Sequence, residues 1–125
     1  MVANVQTLVK LLPVALRKKL PREVVVVHIG EKDSRRLNRR YRKKNRSTNV
    51  LSLRYGPDYG EILVCPTVIR QEAKRSSVPY KYQMTKMVVH AMVHLAGIHH
   101  EKSRNMSRRF ERLEQRILKK FKTAI

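Results

Sequence analysis

Thr48-Asn49-Val50-Leu51-Ser52-Leu53-Arg54-Tyr55-Gly56-Pro57-Asp58-Tyr59-Gly60-Glu61-Ile62-Leu63-Val64-Cys65 is the stretch that decides the class of fold. Thr48 to Arg54 reads as one strand and Glu61 to Cys65 as another, with turn residues Asp58-Tyr59-Gly60 between them. Strands this close in sequence pair antiparallel. Upstream, Val24-Val25-Val26-Val27-His28-Ile29 is β-branched and nearly continuous, the pattern of a strand buried on both faces, and Gly30 closes it.

Around these strands the apolar residues recur at helical spacing. Val5 to Lys19 carries Val5, Leu8, Leu11, Leu12, Ala15 and Leu16 on one stripe, which Pro13 either kinks or restarts as a second short helix. Asp33 can cap a helix running through Leu37 and Tyr41 to about Lys43. Pro66 suits the first turn of a helix that reaches about Lys74. Pro79 opens another, with Met84, Val88, Ala91 and Leu95 on its core face. Ser103 can cap a last helix to about Lys122, in which Met106, Phe110, Leu113, Ile117 and Phe121 share a side. The expected architecture is α+β: one domain over residues 1–125, with a small mixed sheet of three to four strands packed with about five helices.

Composition narrows the partners. An apolar fraction of 42% supports a folded chain, while 29 Lys and Arg against 9 Asp and Glu leave a formal charge of +20 at pH 7. Self-repulsion of that size opposes compaction, so a polyanionic partner is expected, nucleic acid first because each neutralised phosphate releases a counterion. A membrane partner is not expected, since no run of about 18 apolar residues is present and the start carries no acylation motif. Cys65 is the single cysteine, so no intrachain disulfide can form, and its apolar surroundings read as a buried strand. Met1-Val2-Ala3-Asn4 lacks the basic start and apolar core of a secretory signal, which points to a cytoplasmic setting.

The chemistry concentrates in His90-Ala91-Met92-Val93-His94-Leu95-Ala96-Gly97-Ile98-His99-His100. A four-residue step on a helix turns by only about 40°, so His90 and His94 project from one face. Gly97 is a natural helix stop, after which a third imidazole, from His99 or His100, can return to the same point. Three neutral nitrogens with water as a fourth ligand make a catalytic zinc site, here at the end of a central helix. Ala91 stands where the His-Glu-x-x-His motif of zinc proteases has its general base, which disfavours peptide hydrolysis. Glu61, at a strand end, is a candidate proton acceptor in its place.

These residues resemble the YbeY family of bacterial zinc-dependent endoribonucleases implicated in ribosomal RNA maturation. The family pattern His-Gly-x-x-His-Leu-x-Gly-Tyr-Asp-His matches His90 through His100 in spacing, and Leu37-Asn38-Arg39-Arg40-Tyr41-Arg42 with Thr48-Asn49-Val50-Leu51-Ser52 resembles its Leu-Asn-x-x-Tyr-Arg and Thr-Asp/Asn-Val-Leu-Ser block. The resemblance covers roughly Asp33 to Leu118. It implies one zinc ion per chain on His90, His94 and His100, with Arg42 facing the site and stabilising charge on the phosphate under attack. It also implies a substrate in ribosomal RNA or the small ribosomal subunit, and the expected state is a monomer. A non-catalytic ribosome-assembly factor with a structural metal is the alternative.

Four departures from the family pattern, one of them a pair of residues, stand out. Ala91 replaces a glycine, His99 an aspartate before the last ligand, Glu61 the aspartate of Gly-Asp-Ile, and Leu53-Arg54 a Phe-Pro pair, the last expected to widen or recharge the groove wall. Arg35, Arg36, Arg39, Arg40, Lys43, Lys44 and Arg46 crowd around Arg42 and are expected to contact RNA phosphates. Tyr41 and Tyr55 are candidates for stacking on unpaired bases, although core packing is the commoner fate of tyrosine.

Overall fold

The structure, a computed structural model, describes residues 9–10, 12–97, 108 and 111–119. Its elements follow in the order α1 (Val14–Arg17), β1 (Glu23–His28), α2 (Glu31–Arg42), β2 (Val50–Arg54), β3 (Tyr59–Val64), α3 (Pro66–Arg75) and α4 (Tyr80–Leu95), with a further helical stretch at 111–119. The three strands form one mixed sheet in the order β1-β3-β2. β2 and β3 are antiparallel, as their closeness predicts, and β1 lies parallel to β3, with α2 and β2 between them in sequence. The fold is α+β. Among the described residues no helix is long and apolar enough to cross a membrane.

The register assigns the two faces of the sheet. Val50 stands opposite Val64, Ser52 opposite Ile62 and Arg54 opposite Gly60, and paired residues share a face. Ile62, Val64, Val50 and Val24 join the main core with Met84, Val88, Ala91, Met92 and Leu95 of α4. α4 is buried round most of its circumference, as expected of a helix at the centre of a domain, and packs against α3, β2 and β3. The expected core stripe Met84, Val88, Ala91 and Leu95 is fully buried.

Several boundaries differ from the sequence reading. β1 is an edge strand, and Val27 is 37% exposed, so its valine run is not buried on both faces. A continuous apolar run marks two-sided burial only where both faces of the sheet are covered, and among the described residues β1 turns Val24 into the core while Val27 stays open to solvent. α2 begins at Glu31 with Gly30 as its N-cap; Asp33 lies within the first turn and pairs with Arg36 at 3.6 Å. Tyr59 and Gly60 already belong to β3, which leaves the turn to the residues between Arg54 and Tyr59. Pro13 does start a second short helix, as the N-cap of α1, and Pro66 and Pro79 sit at the starts of α3 and α4. Cys65 is buried but follows β3, where it caps α3. Ser103, Met106, Phe110 and Phe121 lie outside the described residues, whereas Ile117 is buried in the core.

Candidate metal centre

α4 carries His90 and His94 on its one partly open face. Their rings lie 4.6 Å apart between centroids and are tilted by 56°, a spacing at which each can turn a nitrogen toward one ion. His90 Nδ1 lies 2.9 Å from Oε1 of Glu114, a residue 24 positions further on in the 111–119 stretch. An ionised carboxylate only accepts hydrogen bonds, so the Nδ1 must be the donor, and a neutral His90 then keeps its lone pair on Nε2. Carboxylate-oriented imidazoles of this kind are what metal-binding histidines use to fix ring and tautomer. The donors present therefore fit a divalent ion. Sequence reasoning does not single out Glu114. Its signal was positional: an acidic residue one helical turn from Ile117 and Leu118 and 9% exposed in the folded chain.

Gly97 follows α4 with φ of 84°, a left-handed conformation that glycine adopts without steric cost. His99 and His100 lie outside the described residues, so neither candidate for the third ligand is placed, and among the described residues no three metal-binding groups converge.

The two histidines open onto a cleft of about 890 Å³ that is also lined by Tyr41, Arg42, Lys44, Leu51, Ser52, Leu53, Arg54, Leu95 and Gly97. The structure thus brings Arg42 to the same cleft as His90 and His94. Local hydrogen bonds explain how it gets there. Ser34 Oγ, fully buried, donates to the Thr48 carbonyl and accepts from the Thr48 amide, both at 2.8 Å. Asn38 Nδ2 donates to the Arg46 carbonyl at 2.8 Å. These two side chains staple α2 to the segment that leads into β2. α2 then ends on Lys43, whose φ of 59° is left-handed and whose amide donates to the Arg39 carbonyl at 3.1 Å. That reversal carries Lys44 to the cleft wall beside Arg42. At the far end of the same segment, Asn49 Nδ2 donates to both Glu72 carboxylate oxygens at 3.1 Å and ties the start of β2 to α3.

Glu61 is not at the cleft. It lies in mid-strand, and the alternation of β3 puts it on the face opposite Gly60, Ile62 and Val64, away from α4. Its carboxylate accepts hydrogen bonds from Tyr55 Oη at 2.7 Å and Tyr59 Oη at 3.1 Å. The bond to Glu61, helped by burial, pushes the Tyr55 phenol up to about 12 from its ordinary 10.0. The proton acceptor expected at a strand end is thus a tyrosine anchor on the other side of the sheet.

Arg35, Arg36, Arg39, Arg40, Lys43 and Arg46 are exposed but do not line the cleft, unlike Arg42 and Lys44. Arg35 Nε donates to Asn45 Oδ1 at 2.9 Å, and Arg40 lies 5.5 Å from the centre of the Tyr41 ring. Tyr41 and Tyr55 are 49% and 59% exposed, so neither is a core residue. Arg108, Arg112 and Arg116 line a separate hollow with Glu111 and Gln115, apart from the histidine cleft. Arg54, read from sequence only as a change to the groove wall, is a structural tie: its Nη1 donates to the carbonyls of Leu95 and Lys19.

The chain is similar to the solution structure of TM1509 from Thermotoga maritima, with a TM-score of 0.60 over 96% of this chain and 85% of that one, at 22% identity. It is 36% identical to the endoribonuclease YbeY of Aromatoleum aromaticum over 99 residues, covering 77% of this chain but 64% of the relative's length. It is 30% identical to the endoribonuclease YbeY of Thermosipho melanesiensis over 109 residues, covering 84% of this chain and 79% of that protein. A family model described as endoribonuclease YbeY matches residues 1–122. A match running over nearly every residue, joined to relatives of this identity, makes the chain a member of the endoribonuclease YbeY family.

Proposed function

We propose that the chain is a zinc-dependent endoribonuclease of the cytoplasm that acts on ribosomal RNA, free or within the small ribosomal subunit. The observation that carries this reading is the meeting of His90, His94 and Arg42 on one cleft. His90 and His94 would hold the ion through one imidazole nitrogen each, with His100 as the third ligand on the family pattern. Bound zinc supplies Lewis acidity toward a phosphodiester oxygen. Arg42 offers a planar fork that can hold a phosphate through two hydrogen bonds and offset the charge that builds on it. Lys44 adds a second positive charge on the same wall. Glu114 keeps the His90 ring oriented and its Nδ1 protonated throughout. The exposed cations of α2 would bind the RNA backbone beyond the scissile bond, and Tyr41, at the cleft and half-exposed, would stack on an unpaired base.

The second reading, an RNA-binding assembly factor that does not cleave, draws on one observation. Among the described residues lining the cleft there is no Asp or Glu, so no carboxylate there is available to take a proton. One experiment separates the two. Zinc-loaded protein is incubated with a ribosomal RNA fragment, and both binding and cleavage are followed for wild type, His94→Ala and Arg42→Ala. The nuclease reading expects metal-dependent cleavage that His94→Ala abolishes and Arg42→Ala lowers by at least about 100-fold, in the range lost with one transition-state donor. Tight binding without cleavage in the wild type would establish the assembly factor instead.

A further inference from the structure

We propose that Arg54 is a positioning residue that sets the end of the metal-bearing helix, and through it His94 and the turn at Gly97. The inference rests on the zinc reading above. A helix leaves its last carbonyls without partners inside the helix, and the end of α4 is where the second histidine sits. Arg54 Nη1 donates to the carbonyl of Leu95, the residue after His94, at 2.7 Å. The same nitrogen donates to the Lys19 carbonyl at 2.6 Å, and Nε donates to the Gly56 carbonyl at 3.2 Å. One guanidinium therefore joins the end of α4, the connection between α1 and β1, and the turn between β2 and β3. A cation at a helix C-terminus is also favoured by the dipole.

The sheet is shaped to allow this crossing. Gly60 stands opposite Arg54 in the β2–β3 register. A Cβ on Gly60 would press on Pro21 Cγ at 3.0 Å and lie in ordinary contact with Leu95 Cδ2 at 3.4 Å, so the bare backbone lets Pro21 and Leu95 settle side by side. Two features on neighbouring strands thus converge on one residue beside His94. Neither lysine nor proline reproduces the arginine: lysine gathers its three donors on one ammonium instead of spreading them over a planar fork as Nη1 and Nε are here, and the side chain of proline, which the family pattern carries here, donates nothing.

The test uses the full chain, wild type, Arg54→Met, Arg54→Lys and Gly60→Ala. Zinc affinity is measured by competition with a chromophoric chelator, and amide hydrogen exchange is followed without metal. Expected are a loss of zinc affinity of about tenfold in Arg54→Met, little recovery in Arg54→Lys, and a smaller loss in Gly60→Ala, whose methyl presses on Pro21 beside Leu95. Exchange at the Ala96 and Gly97 amides should quicken by about tenfold in both Arg54 variants while β3 amides hold their rates. Zinc affinity within twofold of wild type in Arg54→Met and Arg54→Lys would overturn the proposal while leaving the zinc reading intact. A merely structural tie would show as faster exchange with unchanged affinity, which also overturns it. A wild type that takes up no zinc sinks the zinc reading itself, seen before any variant is compared, and the positioning claim with it. If Arg54→Met does not fold, Arg54→Lys and Gly60→Ala carry the same comparison.

Discussion

Glu114→Gln removes one charge and almost no volume at the contact that orients His90. In the native chain the carboxylate accepts from Nδ1 at 2.9 Å, with 11% of the Glu114 side chain and 29% of the His90 side chain exposed. A hydrogen bond to a charged group contributes about 1.5–3 kcal/mol, and partial exposure of the imidazole places this one toward the lower end. The glutamine can still meet Nδ1 with either its oxygen or its amide. When the amide faces the ring, Nδ1 must accept, the proton moves to Nε2, and the nitrogen needed by the metal is blocked. Losing an orienting carboxylate costs about 10–100-fold in metal affinity, or about 1.4–2.8 kcal/mol. Zinc affinity by chelator competition should fall within that range, and the nitrogen chemical shifts of His90 without metal should move from one tautomer toward a mixture. Wild-type affinity with an unchanged His90 tautomer would refute the reasoning, because the carboxylate would then be setting nothing.

Three other expectations follow from the same structure. Raising salt from 50 to 200 mM should weaken RNA binding steeply, by about 10³-fold or more if six phosphates are contacted, and a flat response would contradict backbone contact by the α2 cations. The Tyr55 phenol should titrate near 12 in the wild type and fall back toward 10.0 in Glu61→Gln, read from absorbance of the phenolate. Because its pKa is raised on folding, the stabilisation from that bond is complete below pH 10 and lost as the pH climbs through about 12; a midpoint unmoved by the substitution would break the link. Gly97→Ala places a side chain at φ of 84° and should lower stability by about 1 kcal/mol in a urea titration, whereas an unchanged midpoint would mean the turn relaxes freely.

Periodicity revealed the elements because burial in this chain follows it: the α4 stripe and the β2–β3 pair were legible from spacing alone. β1 was legible as a strand but not as an edge, since its four valines carry no information about how many neighbours the strand has. Glu61 shows the same limit. Its type suited acid–base chemistry, yet its face depends on register, which the sequence of one strand does not contain. His90, His94 and Arg42 could be paired through the family motif, whereas the hydrogen bonds of Ser34 and Asn38 that bring α2 to the cleft span 14 and 8 residues and have no local signature. Glu114 and Arg54 were hidden for a related reason. Nothing in the sequence singles out Glu114, Arg54 reads there only as a change to the groove wall, and only the fold shows that each bonds the histidine helix.

The two walls of the cleft differ in how readily they can yield. One is α4, enclosed on nearly every side, so displacing its histidines would require opening the interior of the molecule. The other is the end of α2, where Arg42, Lys43 and Lys44 are all exposed to solvent and the Lys43 and Lys44 amides close the helix on the Arg39 and Asn38 carbonyls. On the nuclease proposed above, fitting strands of different shape would fall to the solvent-exposed arginine side, and the imidazoles would be the fixed jaw against which a phosphate is brought into place.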